Sequence, residues 1–372
     1  LHDVERGPGG EVFFGTLLKE QTMSEPSIIP AEKLVEFGAN VLKKVNVPDE
    51  DARKVAEILV ESNLRGVDTH GIFLVRLYSQ RIEKGLIDVN PNMKFEKLRR
   101  AVGILDADTA LGQISTLKAM DHAMEMAREC GTGTVMVKCS THFGAGAYYT
   151  LHAAERDMIG ILFSHSEKDV VLFGGKKPYL GTNPYSVAIP AGNRRPFLMD
   201  MATSEVAFGK VRAAAHAGET IPPTWAVDGE GNPVTDARKA KAVTPMSGAK
   251  GYAISLMIEM LSSGLTGMAY GLGIVPKFDD FEHPQQLGCF VQAIDPSAFM
   301  DIQAFKTRID EILNDIALQP AHPNNPFGRI MIPGEPEFGK KEKNLAKGCT
   351  VSATVSDQMR EVGEKYGVQW PG

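Results

Sequence analysis

From Pro30 onward the apolar residues recur at helical spacing. In "PAEKLVEFGANVLKKV", Leu34, Val35, Val41 and Leu42 fall on one face, and proline suits the first turn, so a helix is predicted here. "DEDARKVAEILVESNLRG" opens on acids and closes on glycine, the punctuation of a second helix. A third helical stretch covers 72–84 and stops at Gly85. The period then changes. "AVGILDAD" (101–108) reads as a strand, 114–130 as a helix, "GTVMVK" as a strand, 145–157 as a helix and "IGILFS" (159–164) as a strand. Such alternation predicts an α/β layer structure with a partly parallel sheet.

Further strands are predicted at "YSVAIP" and "PFLMDM", a helix from Ser204 onward, and a long apolar helix from Gly251 to about Leu265. The turn-rich segment 222–236 reads as a surface loop. Beyond "GCFVQAID" comes an amphipathic helix, "FKTRIDEILNDIAL", then an ordered loop from "HPNNPFGRIMIPGEPE" and a final helix. Residues 1–22 lack the basic start and apolar h-region of a signal peptide; they read as an extension, with the fold beginning near residue 28.

Composition narrows the function classes. A chain of 372 residues has room for two or three folding units, and 43% hydrophobic with 23% charged residues is ordinary for a globular protein. The net charge of -6 argues against a nucleic-acid binder, and no apolar run reaches the roughly 20 residues that would span a bilayer. Cys130, Cys139, Cys289 and Cys349 stand far apart without a CxxC pair, which fits reduced thiols in the cytoplasm.

The chemistry begins with an absence. G-x-G occurs at Gly131, Gly144, Gly229 and Gly271, but five places on stand Met136, Tyr149, Val234 and Pro276, so no Rossmann fingerprint is complete. No P-loop occurs. The histidines show no HxxxH or HExxH spacing, and no metal site is expected. His142 stands out among them. It follows a strand end, where ligands collect in α/β folds, and the glycines beside it permit close approach. An imidazole there can exchange protons near neutral pH, although a loop histidine with a purely structural bond is the plain alternative. Lys250 opens an apolar helix whose dipole is already positive, a place for a bound anion or for a lysine that simply reaches water. Asp200, directly after an apolar strand, could cap the following helix or hold a ribose hydroxyl.

Six stretches in one order carry a resemblance: "DTHGIFLVRLYSQRIEKG" (68–85), "STHFGAGAYY" (140–149), "FGGKKPYLGTNP" (173–184), "DMATSEVAFGK" (200–210), "PMSGAKGYAISLMIEMLSSGLTG" (245–267) and "PGEPE" (333–337). Together they resemble the malate/L-lactate dehydrogenases of the non-Rossmann type, which include sulfolactate and ureidoglycolate dehydrogenases and piperideine-2-carboxylate reductase. The resemblance implies a mixed-sheet dinucleotide-binding domain (99–296). It also implies a helical domain built from 28–98 and 297–372, and a homodimer. It implies that His142 is the general acid/base, with His70, Tyr78 and Asn183 on the substrate side. NAD, or alternatively NADP, would be held by Ser166, Asp200, Met201, Ala202, Lys250, Pro333, Gly334 and Glu335.

Two departures bear on the substrate. The family usually carries an arginine four residues after the first histidine; Leu74 stands there, and Arg76 is the nearest replacement in sequence. A two-residue shift turns it about 200° on a helix, so it would serve only from an irregular backbone or toward the other subunit's site. The arginine associated with ureidoglycolate corresponds to Gln285, which counts against that substrate. The expected activity is interconversion of a 2-hydroxy acid and a 2-oxo acid, malate or lactate foremost. Reduction of a cyclic imine, sulfolactate oxidation and a silent dinucleotide-binding protein are the alternatives.

Overall fold

The computed structural model describes residues 26–372, so nearly all of the extension expected over 1–27 lies outside the described residues. Strand β1 (Ser27–Ile29) leads into helices α1 (Ala31–Lys44), α2 (Asp49–Leu64) and α3 (Leu74–Glu83). Pro30 and Pro48 sit just before the first two, where a missing N–H leaves no helical bond unmade. Their apolar stripes meet residues from the far end of the chain. Leu34, Val41, Leu42, Val55, Leu59 and Val75 share one core with Met359, Val362 and Trp370. Each such side chain contributes about 1.5–3 kcal/mol through burial, which ties the chain ends together.

The C-terminal partners are α9 (Glu335–Lys347), β13 (Cys349–Val351) and α10 (Ala353–Tyr366). Strand β13 pairs antiparallel with β1, Ser27 opposite Val351. The single final helix expected from sequence is therefore two helices with a strand between them. Gly348, with φ +95, supplies the break that the helical pattern concealed.

Seven strands form the central sheet. In spatial order they are β2 (Lys94–Arg99), β3 (Val102–Asp106), β4 (Thr132–Ser140), β12 (Leu287–Ile294), β5 (Ile159–Ser164), β8 (Tyr185–Ile189) and β9 (Phe197–Met201). Only β3 and β4 run parallel, joined by the crossover helix α4 (Gly112–Cys130); every other pairing is antiparallel. Helix α5 (Ala147–Ala154) packs beside α4, and Met120, Ala123, Tyr149 and Ala153 cover Val135, Val137, Leu162 and Val291.

A smaller sheet, not foreseen, has the order β10 (Ala226–Val227), β11 (Ala242–Val243), β6 (Val170–Val171), β7 (Pro178–Leu180), packed by α6 (Phe208–Ala217). The loop expected over 222–236 thus contains a buried strand. Ala226, Val227 and Val234 are too few and too widely spaced to show a period. Helix α7 (Ala249–Glu259) continues as a π-helical turn, Met260–Gly264.

Helix α8 (Ile302–Ala317) departs from the expectation that all of 297–372 packs with the N-terminal helices. Asp310 accepts hydrogen bonds from the backbone N–H groups of Gly192, Asn193 and Arg194, and Lys306 pairs with Asp157 at 2.8 Å. These contacts hold α8 to the edge of the α/β layer. No helix among the described residues is long and apolar enough to cross a membrane.

The start of α4 meets the end of β4 at close range. A Cβ on Gly112 would stand 2.2 Å from Thr141 O and 2.7 Å from His142 O, and backbone cannot swing aside like a side-chain tip. Gly112→Ala is expected to lose about 1–3 kcal/mol, as overpacked sites do. The urea midpoint should fall with little change in slope. An unchanged midpoint would mean that this junction yields freely.

Candidate active site

The turn after β4 brings His142 against His70 and Tyr78 of the helical layer. Its neighbours hold it tightly. Thr141 Oγ1 donates to Ala110 O (3.0 Å) and accepts from Gly112 N–H (2.9 Å). His142 N–H donates to Gln285 Oε1 (3.2 Å), and Tyr149 Oη donates to Phe143 O (2.6 Å). Gly144 takes φ +85, a backbone that an L side chain would strain.

Tyr78 comes from α3 to meet this turn. Its Oη lies 2.7 Å from His142 Nδ1, a bond between residues 64 apart that fixes the ring's orientation. Burial pushes the Tyr78 phenol far above its ordinary value, so it stays protonated. His70, in the short 3-10 turn before α3, lies nearly parallel to His142, ring centroids 5.6 Å apart. Burial, helped by the Lys277 ammonium, lowers His70 to about 4; burial, Lys277 and His70 hold His142 well below the usual imidazole range. Both rings are therefore neutral at pH 7 in the free protein.

A cavity of about 380 Å³ is lined by Asp200, Met201, Pro333 and Gly334 together with Arg65, Ala145, Ala147 and Glu337. Four of the expected cofactor positions thus meet here, beside the turn that carries His142. Gly334 has φ +92 and no room for a Cβ, which would stand 2.8 Å from the Leu198 Cβ. Asp200 Oδ2 accepts from Ala147 N–H at 2.8 Å, so the acid caps α5 rather than the helix that follows it in sequence. Its other oxygen remains for a ligand hydroxyl. Its side chain is exposed toward the cavity, yet the surrounding groups strip enough water from it that desolvation raises its carboxyl to about 6. These features fit a dinucleotide: an acid for ribose and backbone approachable at a glycine.

The other expected residues are not on that lining. Ala202 follows β9 directly. Lys250 is exposed in the first turn of α7 and makes no ion pair among the described residues. Ser166 N–H donates to Asn183 Oδ1 (3.0 Å). Glu335 accepts from Arg329 (2.7 Å) and from Ile332 N–H (3.2 Å), so its side chain braces its own loop.

Two expectations need correction. Asn183 Nδ2 donates to Glu259 Oε2 (2.8 Å) and Ser255 O (3.1 Å), which uses both its hydrogens; Asn183 builds the frame and has no amide donor left for a substrate. Arg76 lies away from His142. On regular α3 it stands about 200° around from both Leu74 and Tyr78, and its guanidinium faces Glu361 of α10 at 3.6 Å.

Other polar groups gave no local signal in the sequence. Lys277 and Glu167 form an ion pair, and Arg81 is 1% exposed among backbone carbonyls. Arg65, also buried, donates to Glu61 and stacks over Phe338. A charged residue with no chemical pattern of its own reads as surface until the fold buries it.

Residues 29–360 match the family described as Malate/L-lactate dehydrogenase. This chain belongs to that family. It is 35% identical to malate dehydrogenase of Pyrococcus abyssi across 92% of this chain and 95% of that protein. It is 36% identical to L-sulfolactate dehydrogenase of Methanocaldococcus jannaschii across 88% and 94%. Among solved structures, malate dehydrogenase from Entamoeba histolytica superposes with a TM-score of 0.87 at 29% identity, covering 94% of this chain and 100% of that one. The protein is thus a hydroxyacid dehydrogenase with the family's mixed α/β fold, and it uses a nicotinamide cofactor. Relatives named for NAD(+) and for NADP(+) both occur.

The Asp200 shift carries a pH dependence. Its folded pKa, about 6, lies above the ordinary value of 3.8, so the folded state holds the proton more tightly between the two. The stability this provides is complete below about pH 4 and is lost as pH rises through 6. Asp200→Asn keeps an acceptor for Ala147 and removes the charge. Its melting temperature should gain on the parent as pH rises from about 4 to about 8; parallel profiles would contradict the shift.

Proposed function

We propose that this dehydrogenase interconverts malate and oxaloacetate, with lactate and pyruvate turned over less well, and that NAD is its cofactor. The observation that carries the reading is the Tyr78–His142 bond. With Nδ1 carrying the ring hydrogen and donating to Tyr78 Oη, Nε2 is free to take a proton from the substrate hydroxyl. In the reverse direction protonated His142 returns it. His70, neutral and parallel, can contribute one hydrogen bond without adding charge. A bound nicotinamide supplies the hydride acceptor or donor.

Asp200, Met201, Ala202 and the Pro333–Glu335 turn are proposed to hold that cofactor, with Ser166 and Lys250 reaching it from the α7 side. The carboxylates of Asp200 and Glu337 on one cavity favour ribose hydroxyls and disfavour a 2′-phosphate, which supports NAD over NADP. A homodimer belongs to the same proposal. Met257, Met260, Leu265, Tyr270 and Leu272 are exposed on and after α7, a face for the second copy to cover.

Reduction of oxaloacetate and pyruvate, followed by NADH absorbance, tests the substrate; higher kcat/KM for pyruvate would overturn the malate reading. His142→Asn is expected to lower kcat by about 10²–10⁴ with NADH affinity unchanged. Near-normal turnover would remove His142 from the chemistry. Lys250→Ala should weaken NADH binding, read by fluorescence titration, by about 1.5–3 kcal/mol. Unaltered affinity would leave this lysine a surface residue.

A further inference from the structure

Leu74 is buried on the face of α3 that also carries Tyr78, Arg76 points elsewhere, and Arg81 of the same helix is committed to backbone carbonyls, so α3 has no free cation for an α-carboxylate. Another cation is carried by the segment that Arg81 of α3 grips. Lys277, its side chain 15% exposed, pairs with Glu167 at 9%, and its charge depresses both His70 and His142. The segment that bears it is pinned from α3. Arg81 donates to the carbonyls of Lys277 (3.2 Å), Asp280 (2.7 Å) and His283 (2.9 Å). Tyr78 and Arg81 are one turn apart, so a single helix orients His142 through one residue and anchors the Lys277 segment through the other. Farther along that segment, Gln285 holds His142 N–H with its oxygen, while its Nε2 is buried without a partner.

We propose that Lys277, with Gln285 Nε2 as a second donor, binds the α-carboxylate of the substrate. The proposal rests on the reading of this site as that of a 2-hydroxy acid dehydrogenase. An ammonium has three hydrogens and Glu167 takes one, so Lys277 can hold a substrate carboxylate without leaving its partner. Asp169, raised to about 6 by burial and by Glu167, gives the cluster a place for a proton when a further negative charge enters. The arriving carboxylate also offsets the field of Lys277 on His142. The imidazole becomes a better base when substrate is beside it, which couples binding to proton transfer.

The test compares parent, Lys277→Gln and Lys277→Arg on oxaloacetate, pyruvate and the neutral amide pyruvamide. A Glu167→Gln/Lys277→Gln double variant guards against misfolding caused by an unpaired Glu167. The single Lys277→Gln variant and the double variant are both expected to raise KM for both acids by about 10–100-fold, with kcat changed far less. NADH affinity and the KM for pyruvamide should be unchanged, and Lys277→Arg should recover much of the loss in acid KM. In hydroxy-acid oxidation the acid limb of kcat/KM should move to higher pH. The charged and titratable groups facing His142 are His70, Tyr78 and Lys277, and removing the cation relieves the repulsion that disfavours imidazolium. An unchanged KM for both acids, or losses extending to pyruvamide and NADH, overturns the anchor alone. Loss confined to oxaloacetate overturns it too, by assigning Lys277 to the distal carboxylate. A parent that reduces neither acid and does not bind oxamate overturns the functional reading and the anchor together.

Discussion

The backbone of residues 141–147 is the constraint on which the rest of this molecule depends. Hydrogen bonds reach it from the α4 entry, from Gln285 ahead of β12, from Tyr149 in α5 and from Asp200 on β9. Each is worth only about 0.5–1.5 kcal/mol net, yet leaving such groups unmatched in a buried turn would cost more. Because the partners come from separate elements, no single one can move without disturbing the others. His142 is consequently held in place by the fold as a whole.

The same turn lies where the two layers meet, beside Ile58 of α2 in the sheet core and Ile114 of α4 in the helical core. The helical layer, closed by both chain ends, presents Tyr78, and the sheet presents His142. An acid on β9 caps a helix and faces the cavity, while the Pro333–Gly334 turn lies against that strand, with Leu198 N–H donating to Pro333 O at 3.4 Å.

Burial sets the electrostatics. Desolvation is the largest influence on His70, His142, Tyr78 and Asp200, and in each it favours the neutral form. After desolvation, the Lys277 ammonium is the next influence on both His70 and His142. In such surroundings one substrate carboxylate changes proton affinities more than any surface charge could.

Much of this was legible in the chain. The helical period of α1 and α2, the strand and helix alternation from 101 to 164, and the small residues beside His142 are local patterns enforced by local backbone physics. Six motifs in order sufficed for the family. Short strands such as β10 and β11, two residues each, carry no period and emerge only when long-range pairing satisfies their backbone groups. The same holds for polar roles. Asn183 committed to Glu259, Arg76 turned toward Glu361, and Lys277 paired with Glu167 are decided by which distant segments meet. Sequence specifies which side chains are available. Only the tertiary packing decides which of them lose water, and burial is what gives these charges their effect.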